Sequence, residues 1–424
     1  MNIRLFLTCM VMIFSQQVLA QDDADLQALK LADLATTKRE APSDWRVFIE
    51  ASAGGSVLRD ADIFQPGQRL SFDLQYDNTF APGWRAVFAD RLDSENPAQL
   101  PANNTINTIK EAYLSWQTRP DLLFDLGRIN DRNGVALGYN PTDYFKTNAV
   151  RSYVSVDPNS LKENRQGSVM LRAQELFDSG SVTLLFSPKI DGQVDYASFN
   201  PDFAATNNEN RWLLSYSPKI TEGFNPQFLV FQSEQLPVQF GLNMTYLVND
   251  ATVIYAEWSG GRSSTLLAQS LQQQGLPYAA GKAFRNRLAS GVTYTTDNKI
   301  SLTAELEYNG AGLDQNQWNT LWTSPIEIYG VYRNWLNVTQ ESPTKRAAFL
   351  FGGWQDAFIN HLDLSAMERL NLDDSSRLSW LEARYHLTQT EFALQWQLNS
   401  GSRLSEYGAA PQSQTWALVG RYYF

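Results

Sequence analysis

Between positions 128 and 165 the chain carries Arg128, Asp131, Arg132, Asp143, Arg151, Lys162, Glu163 and Arg165, both signs within one stretch. Guanidinium, ammonium and carboxylate groups fixed around a wet path select solutes by charge. Catalysis has less to work with. Proton shuttling to a Ser nucleophile needs a His, and His361 and His386 are the only two. Neither is accompanied by a Gly-x-Ser-x-Gly turn, although His386 falls in phase with Glu382 and Arg384. Paired carboxylates alone could still serve an enzyme, but no spacing singles out such a pair. Cys9 is the only cysteine, and Asp373-Asp374 is too little for a calcium loop. No catalytic residue, metal or cofactor is expected, and the chain reads as a non-enzyme.

The elements that would position those charges follow from the rest of the chain. Residues 1–20 read as a cleavable leader: Arg4 gives the positive end, Leu5 to Phe14 a short apolar run, and Val18-Leu19-Ala20 the small-residue cleavage site. That run falls short of the ~20 residues a spanning helix needs. Cys9 would leave with the leader, so the mature chain holds no disulfide or thiolate site. The formal net charge is −11, more negative by one without Arg4, which argues against nucleic acid as a partner. Aromatic residues make up 12% while the mean hydropathy is only −0.34. Residues 21–43, with Leu26, Leu29, Leu31 and Leu34 before Pro42, suit a short periplasmic lead-in or small plug helix, with a disordered tail as the other reading. They are too few for the folded plug of a large uptake receptor.

From 44 to 424 the period is two. Leu70-Ser71-Phe72-Asp73-Leu74-Gln75-Tyr76 alternates apolar with polar, as do Phe240 to Tyr246, Ile300 to Tyr308 and Phe392 to Leu398. Such strands have one oily and one wet face. In a soluble sandwich the oily face looks inward; in a membrane barrel it looks to lipid and the wet face lines a lumen. The connections favour the barrel. About 18 strands (16 is the alternative) of roughly the 9–11 residues that cross a bilayer alternate between long gaps and short ones. The long gaps fall at 54–68, 93–108, 129–166, 188–210, 261–285, 309–345 and 399–414. Short ones fall between, as at Thr118-Arg119-Pro120 and Thr388-Gln389. Long extracellular loops and short periplasmic turns give this rhythm, and unpaired edges in lipid force the sheet to close. The expected fold is therefore all-β, one transmembrane antiparallel β-barrel.

The inward face then carries Asp73, Gln75, Arg85, Glu111, Arg172, Asn243, Glu305, Glu307 and Arg384. These charges solvate a lumen, and some would set selectivity. Loop 129–166, rich in Gly and aromatics and turned at Asn140-Pro141-Thr142-Asp143, is expected to fold inward as a charged constriction; the other reading is a cap on the rim.

The last strand places Trp416, Leu418, Tyr422 and Phe424 on one face and Thr415, Arg421 and Tyr423 on the other. This ending resembles that of Gram-negative outer-membrane barrels, which commonly finish in Phe after alternating aromatics. The resemblance implies outer-membrane lipid and the barrel-assembly machinery as partners. The stretch from Lys110-Glu111-Ala112-Tyr113-Leu114-Ser115-Trp116 through Leu126-Gly127-Arg128 to Asn140-Pro141-Thr142-Asp143 is similar to proteobacterial barrels grouped near alginate-export-type porins. It implies an outer-membrane channel and no particular substrate. The expected function is passive diffusion of small polar or charged solutes. The alternatives are export of a polysaccharide or other secreted product and a blocked, adhesive barrel. A homo-oligomer is compatible with any of them.

Overall fold

The computed structural model describes residues 43–97, 103–192, 195, 197–276 and 281–424. The expected leader (1–20) and nearly all of the expected lead-in (21–43) lie outside the described residues.

Eighteen strands form one antiparallel sheet. The first half runs β1 (Trp45–Leu58), β2 (Ile63–Ala81), β3 (Trp84–Asn96), β4 (Thr105–Arg119), β5 (Leu122–Ile129), β6 (Ser168–Phe177), β7 (Gly180–Ser187), β8 (Arg211–Pro218) and β9 (Phe224–Ser233). The second runs β10 (Gln239–Asn249), β11 (Thr252–Ser263), β12 (Ala283–Thr295), β13 (Ile300–Asn309), β14 (Arg346–Trp354), β15 (Leu362–Asn371), β16 (Arg377–His386), β17 (Thr390–Ser400) and β18 (Gln412–Tyr423). Each strand pairs with its sequence neighbours, and β18 pairs with β1 from Phe48↔Tyr423 to Leu58↔Gln412, which closes the sheet. Closure leaves no edge to hydrogen-bond elsewhere.

The alternation shows which way the faces point. Leu70, Phe72, Leu114, Leu126, Leu171, Leu184, Leu302, Leu306, Leu394 and Leu418 are exposed on the outside. Inward positions of the same strands, such as Ser71, Asp73, Ser115, Asp125, Thr303 and Glu305, are buried and polar. An oily exterior around a polar interior is the pattern of a barrel in lipid. At the short-turn end outer aromatics touch in series: Trp45 with Tyr76, Trp84 with Trp116 and Trp116 with Phe124, Phe177 with Tyr216 and Tyr216 with Phe228, Tyr422 with Phe424. Amphipathic rings collect at a membrane boundary in this way.

The connections depart from the sequence reading in two places. The long gap expected at 54–68 is absent, because β1 and β2 stay paired to Leu58↔Ile63 and only 59–62 turn. Gln65, Pro66 and Gly67 break the alternation, yet backbone pairing continues without it. The long connection 309–345 is not irregular. It holds two helices (labelled in order along the chain after three earlier ones: α1 Pro158–Glu163, α2 Phe203–Thr206, α3 Leu266–Gln273), namely α4 (Gln315–Trp322) and α5 (Ile326–Thr339). Asp314 and Gln317 close α4 with a reciprocal capping pair. Trp318, Leu321, Tyr329, Tyr332 and Leu336 pack with Leu266, Ala311 and Leu313 into a small core above the long-loop end. Three- and four-residue apolar spacing was the signal for these helices. No helix among the described residues is long and apolar enough to cross a membrane.

Candidate functional site: a lumen narrowed by loop 3

The third connection at the long-loop end, loop 3 (130–167), enters the barrel. The wall from β10 to β15 grips it through its backbone. Glu257 on β11, fully buried, accepts from the amides of Val135 (3.0 Å), Ala136 (3.1 Å) and Thr142 (2.7 Å) and from the Thr142 hydroxyl (2.8 Å). Glu305 on β13 accepts from the Leu137 and Gly138 amides and from the Tyr255 hydroxyl. Arg369 on β15 donates to the Gly138 carbonyl at 3.2 Å. Glycine is required at 134: its φ is +106°, and a Cβ there would lie 2.6 Å from a Glu257 carboxylate oxygen.

Side chains complete the seating. Leu137 packs with Phe349, Met367, Leu378 and Trp380. Phe145 joins Ile129, Met170, Leu185, Leu213, Leu229 and Phe231, and Tyr144 stacks on Phe231 with centroids 4.4 Å apart. Within the loop Arg165 pairs with Asp143 (2.5 Å) and donates to Asn130 Oδ1 (2.7 Å). Loop 7 (310–345) clamps it from above. Glu341 receives Lys146 Nζ (3.0 Å) and the Tyr139 hydroxyl (2.7 Å), and Asn148 N donates to Val338 O (2.7 Å). Burial pushes the Glu341 carboxyl up, but Lys146 and Arg287 outweigh it and hold the group below its ordinary value.

The opposite wall, β1 to β4 with β16 to β18, is a ladder of ion pairs. Glu50, buried, takes Arg69 (2.8 Å), Arg91 (2.9 Å) and Arg421 (2.7 Å). Arg91 also bonds Asp93 (2.9 Å), and Lys110 bonds Asp73 (2.6 Å). Toward the short-turn end Arg384 bridges Glu382 (2.9 Å) and Glu391 (3.0 Å), and His386 sits between Asp363 (3.1 Å) and Glu391 (3.2 Å). Contacts from this wall to loop 3 run from Arg69 Nη1 to Val154 O at 2.9 Å and, on β4, from the Gly167 amide to Lys110 O at 3.0 Å. Between the walls lies a cavity of about 1740 Å³. Short-turn residues such as Lys219, Glu222 and Asp356 line one end of it, and loop 3 lines the other.

Of the charges expected at a constriction, Asp131, Arg132, Asp143, Lys162 and Glu163 line this cavity. Arg132 and Glu163 are exposed within it, whereas Lys162 donates to Ala136 O at 3.0 Å. Arg165 is buried inside loop 3 as its internal tie. Arg128 and Arg151 are corrections. Leu126 points outward, so period two turns Arg128 outward as well, where it donates to Pro201 O (2.6 Å) in loop 4 (188–210). Arg151 reaches the carbonyls of Asn107 (2.7 Å) and Asn200 (2.8 Å).

The residues expected on the lumen face point inward. Asp73, Arg172, Asn243 and Arg384 line the cavity. Glu305 and Glu307 meet loop 3, Glu111 receives the Asn130 amide at 3.4 Å, and Arg85 pairs with Asp77 at the short-turn rim. Trp416, Leu418, Tyr422 and Phe424 lie exposed on the outside of the closing strand.

Sequence reasoning missed Glu257, Glu50, Arg69, Arg91, Lys110 and Arg421. Alternation pointed to most of them; Glu257 was hidden because its inward neighbours Val253 and Tyr255 are not polar. Lys110 could not be reached that way. The β3–β4 register shifts between Ala89 and Asp90, and this bulge turns Lys110 and Glu111 to the same side.

Fold and lumen together define a closed transmembrane β-barrel whose interior is narrowed by one long loop. Among solved structures the chain is similar to Acinetobacter baumannii OccAB1, with a TM-score of 0.58 at 10% identity over 90% of this chain and 96% of that one. It is also similar to Pseudomonas aeruginosa OccK5 (OpdH), with a TM-score of 0.53 at 10% identity over 90% and 98%. A mutant of Rhodopseudomonas blastica porin aligns over 90% of this chain at a TM-score of only 0.43 and 12% identity, too loosely to argue from. At these identities the likeness shows the fold alone. No family model matches the sequence, and no curated protein matches it.

Proposed function

We propose that the protein is a non-enzymatic, porin-like channel of the outer membrane that passes small polar or charged solutes by passive diffusion. The observation that carries this reading is the charged cavity of about 1740 Å³ inside a barrel whose exterior is apolar. Lipid-facing charge is costly, so charge placed inward serves water and solute. Loop 3 sets the narrow passage, and Arg132 and Glu163 are the side chains there that offer charge to a passing solute. In this reading the termini and short turns face the periplasm and Phe424 ends the strand that the barrel-assembly machinery reads. Purified protein alone in a planar bilayer gives discrete ohmic conductance steps, and no conductance under any voltage or salt would sink the reading. The alginate-export resemblance offers a second use of the same lumen, outward passage of a polymer. The grip of both Glu257 and Glu305 on loop 3 favours small solutes, because a chain-like cargo needs that loop withdrawn.

A further inference from the structure

On β5 the outer face runs through Leu122, Phe124 and Leu126, and Leu126 is 64% exposed. The next outward residue, about 7 Å further along the strand, is Arg128. A guanidinium is poorly suited to face acyl chains, and it is nevertheless only 3% exposed. Loop 4 covers it. Pro201 O accepts from Arg128 Nη2, and the Phe203 ring lies 5.0 Å from the guanidinium centre. The same segment reaches β4, where Asn107 N donates to Ser198 O at 2.8 Å. Residues 197–203 therefore form a strap that meets the edge of β4 left open beyond the end of β5 and covers the outward Arg128. It carries two outward aromatics, Phe199 at 69% exposure and Phe203. Leu126, Leu171, Phe186 and Trp212 pair in one exposed apolar row across β5 to β8, so the lipid-facing belt runs up to one outward position short of the Arg128 that the strap covers.

We propose that this strap is a lipid-contacting element: Phe199 and Phe203 sit in the interfacial region of the leaflet at the long-loop end and carry the oily belt across the place where the strand residues turn polar. Aromatic rings prefer that depth, and Phe199, 69% exposed, is open to lipid that also meets Leu126. The inference needs a barrel in a bilayer but not an open pore, so it stands or falls separately from conductance.

The test uses the full chain with Cys9→Ser, which removes the only cysteine, and one new cysteine carrying an environment-sensitive nitrobenzoxadiazole dye. Phe199→Cys and Phe203→Cys are each compared with Arg403→Cys in loop 9 (401–411). The proteins are placed in phosphatidylcholine vesicles with bromine on the upper acyl chain. The expected result is blue-shifted emission and bromine quenching at 199 or 203 and neither at 403; a heat-modifiable gel shift reports that each variant has folded. Emission at both strap positions that matches position 403 and ignores bromine overturns the proposal. A blue shift without bromine quenching, together with cross-linking of two copies, also overturns it and assigns the strap to a second copy of the chain.

Discussion

The two walls of the lumen use the same side chains for opposite ends. On the β10–β15 side, Glu257 and Glu305 spend their oxygens on backbone amides of loop 3. On the β1–β4 and β16–β18 side, Glu50, Asp73, Glu382 and Glu391 spend theirs on guanidinium and ammonium groups that also face the cavity. A carboxylate bound to amides has no counter-charge to exchange and fixes the chain that brings the amides. A carboxylate in a ladder of cations leaves a mixed field beside water. The difference is one of partner, since both walls are built from the same alternating strands.

The sharpest way to break this contrast is Glu257→Ala. Hydrogen bonds to a charged group contribute about 1.5–3 kcal/mol each, and five donors, the Asn140 side-chain amide included, lose their acceptor together. Loop 3 should loosen, with severalfold higher conductance and faster hydrogen exchange at the amides of residues 135–142. Unchanged exchange there would mean that the packing of Leu137 and Phe145 holds the loop without the carboxylate. Glu50→Ala comes next. It strands Arg69, Arg91 and Arg421, and breaking a buried pair costs on the order of 3–5 kcal/mol. The unfolding temperature read by gel mobility should fall and selectivity should move toward anions, while exchange in loop 3 stays near wild type. If loop 3 loosens as much as in Glu257→Ala, the walls do not have separate jobs.

A third prediction concerns pH. Burial, with Asp374 adding to it, raises the Glu406 carboxyl in loop 9 from about 4.5 to about 7. The folded form therefore holds a proton that the unfolded form has lost. This contribution to the packing of loop 9 is complete below about pH 4.5 and disappears as pH rises through about 7. Hydrogen exchange, corrected for its intrinsic pH dependence, should show residues 401–411 better protected at pH 5 than at pH 8, and Glu406→Gln should flatten the difference. Smaller still, Arg132→Ala should shift the reversal potential toward cations with little change in conductance, whereas Arg151→Ala should leave it alone. An equal shift from both would place the deciding charge elsewhere. At the bottom of the scale, Arg85→Ala breaks a pair exposed at the rim, worth about 0–1 kcal/mol, and the unfolding temperature should barely move.

Much of the barrel was legible because a strand side chain has only two directions. Leu70 to Tyr76 and Ile300 to Tyr308 announce an oily and a wet face, and the spacing of connections gave the strand number. The inward placement of Asp73, Glu305 and Arg384 follows from the same rule. Arg128 lies beside the charged loop but keeps the outward phase of Leu126, and Lys110 turns inward because a bulge breaks phase without altering composition.

The sequence by itself determined the alternation, the closing strand and the inward set of charges, since these depend on the period of two and on the cost of charge in lipid. Which acid meets which partner was decided only by the tertiary structure. Glu257 and Thr142 are joined across 115 residues, and Glu50 and Arg421 across 371. Such pairings follow from closure of the sheet and from the path of loop 3 through the lumen, and a local pattern carries no record of either.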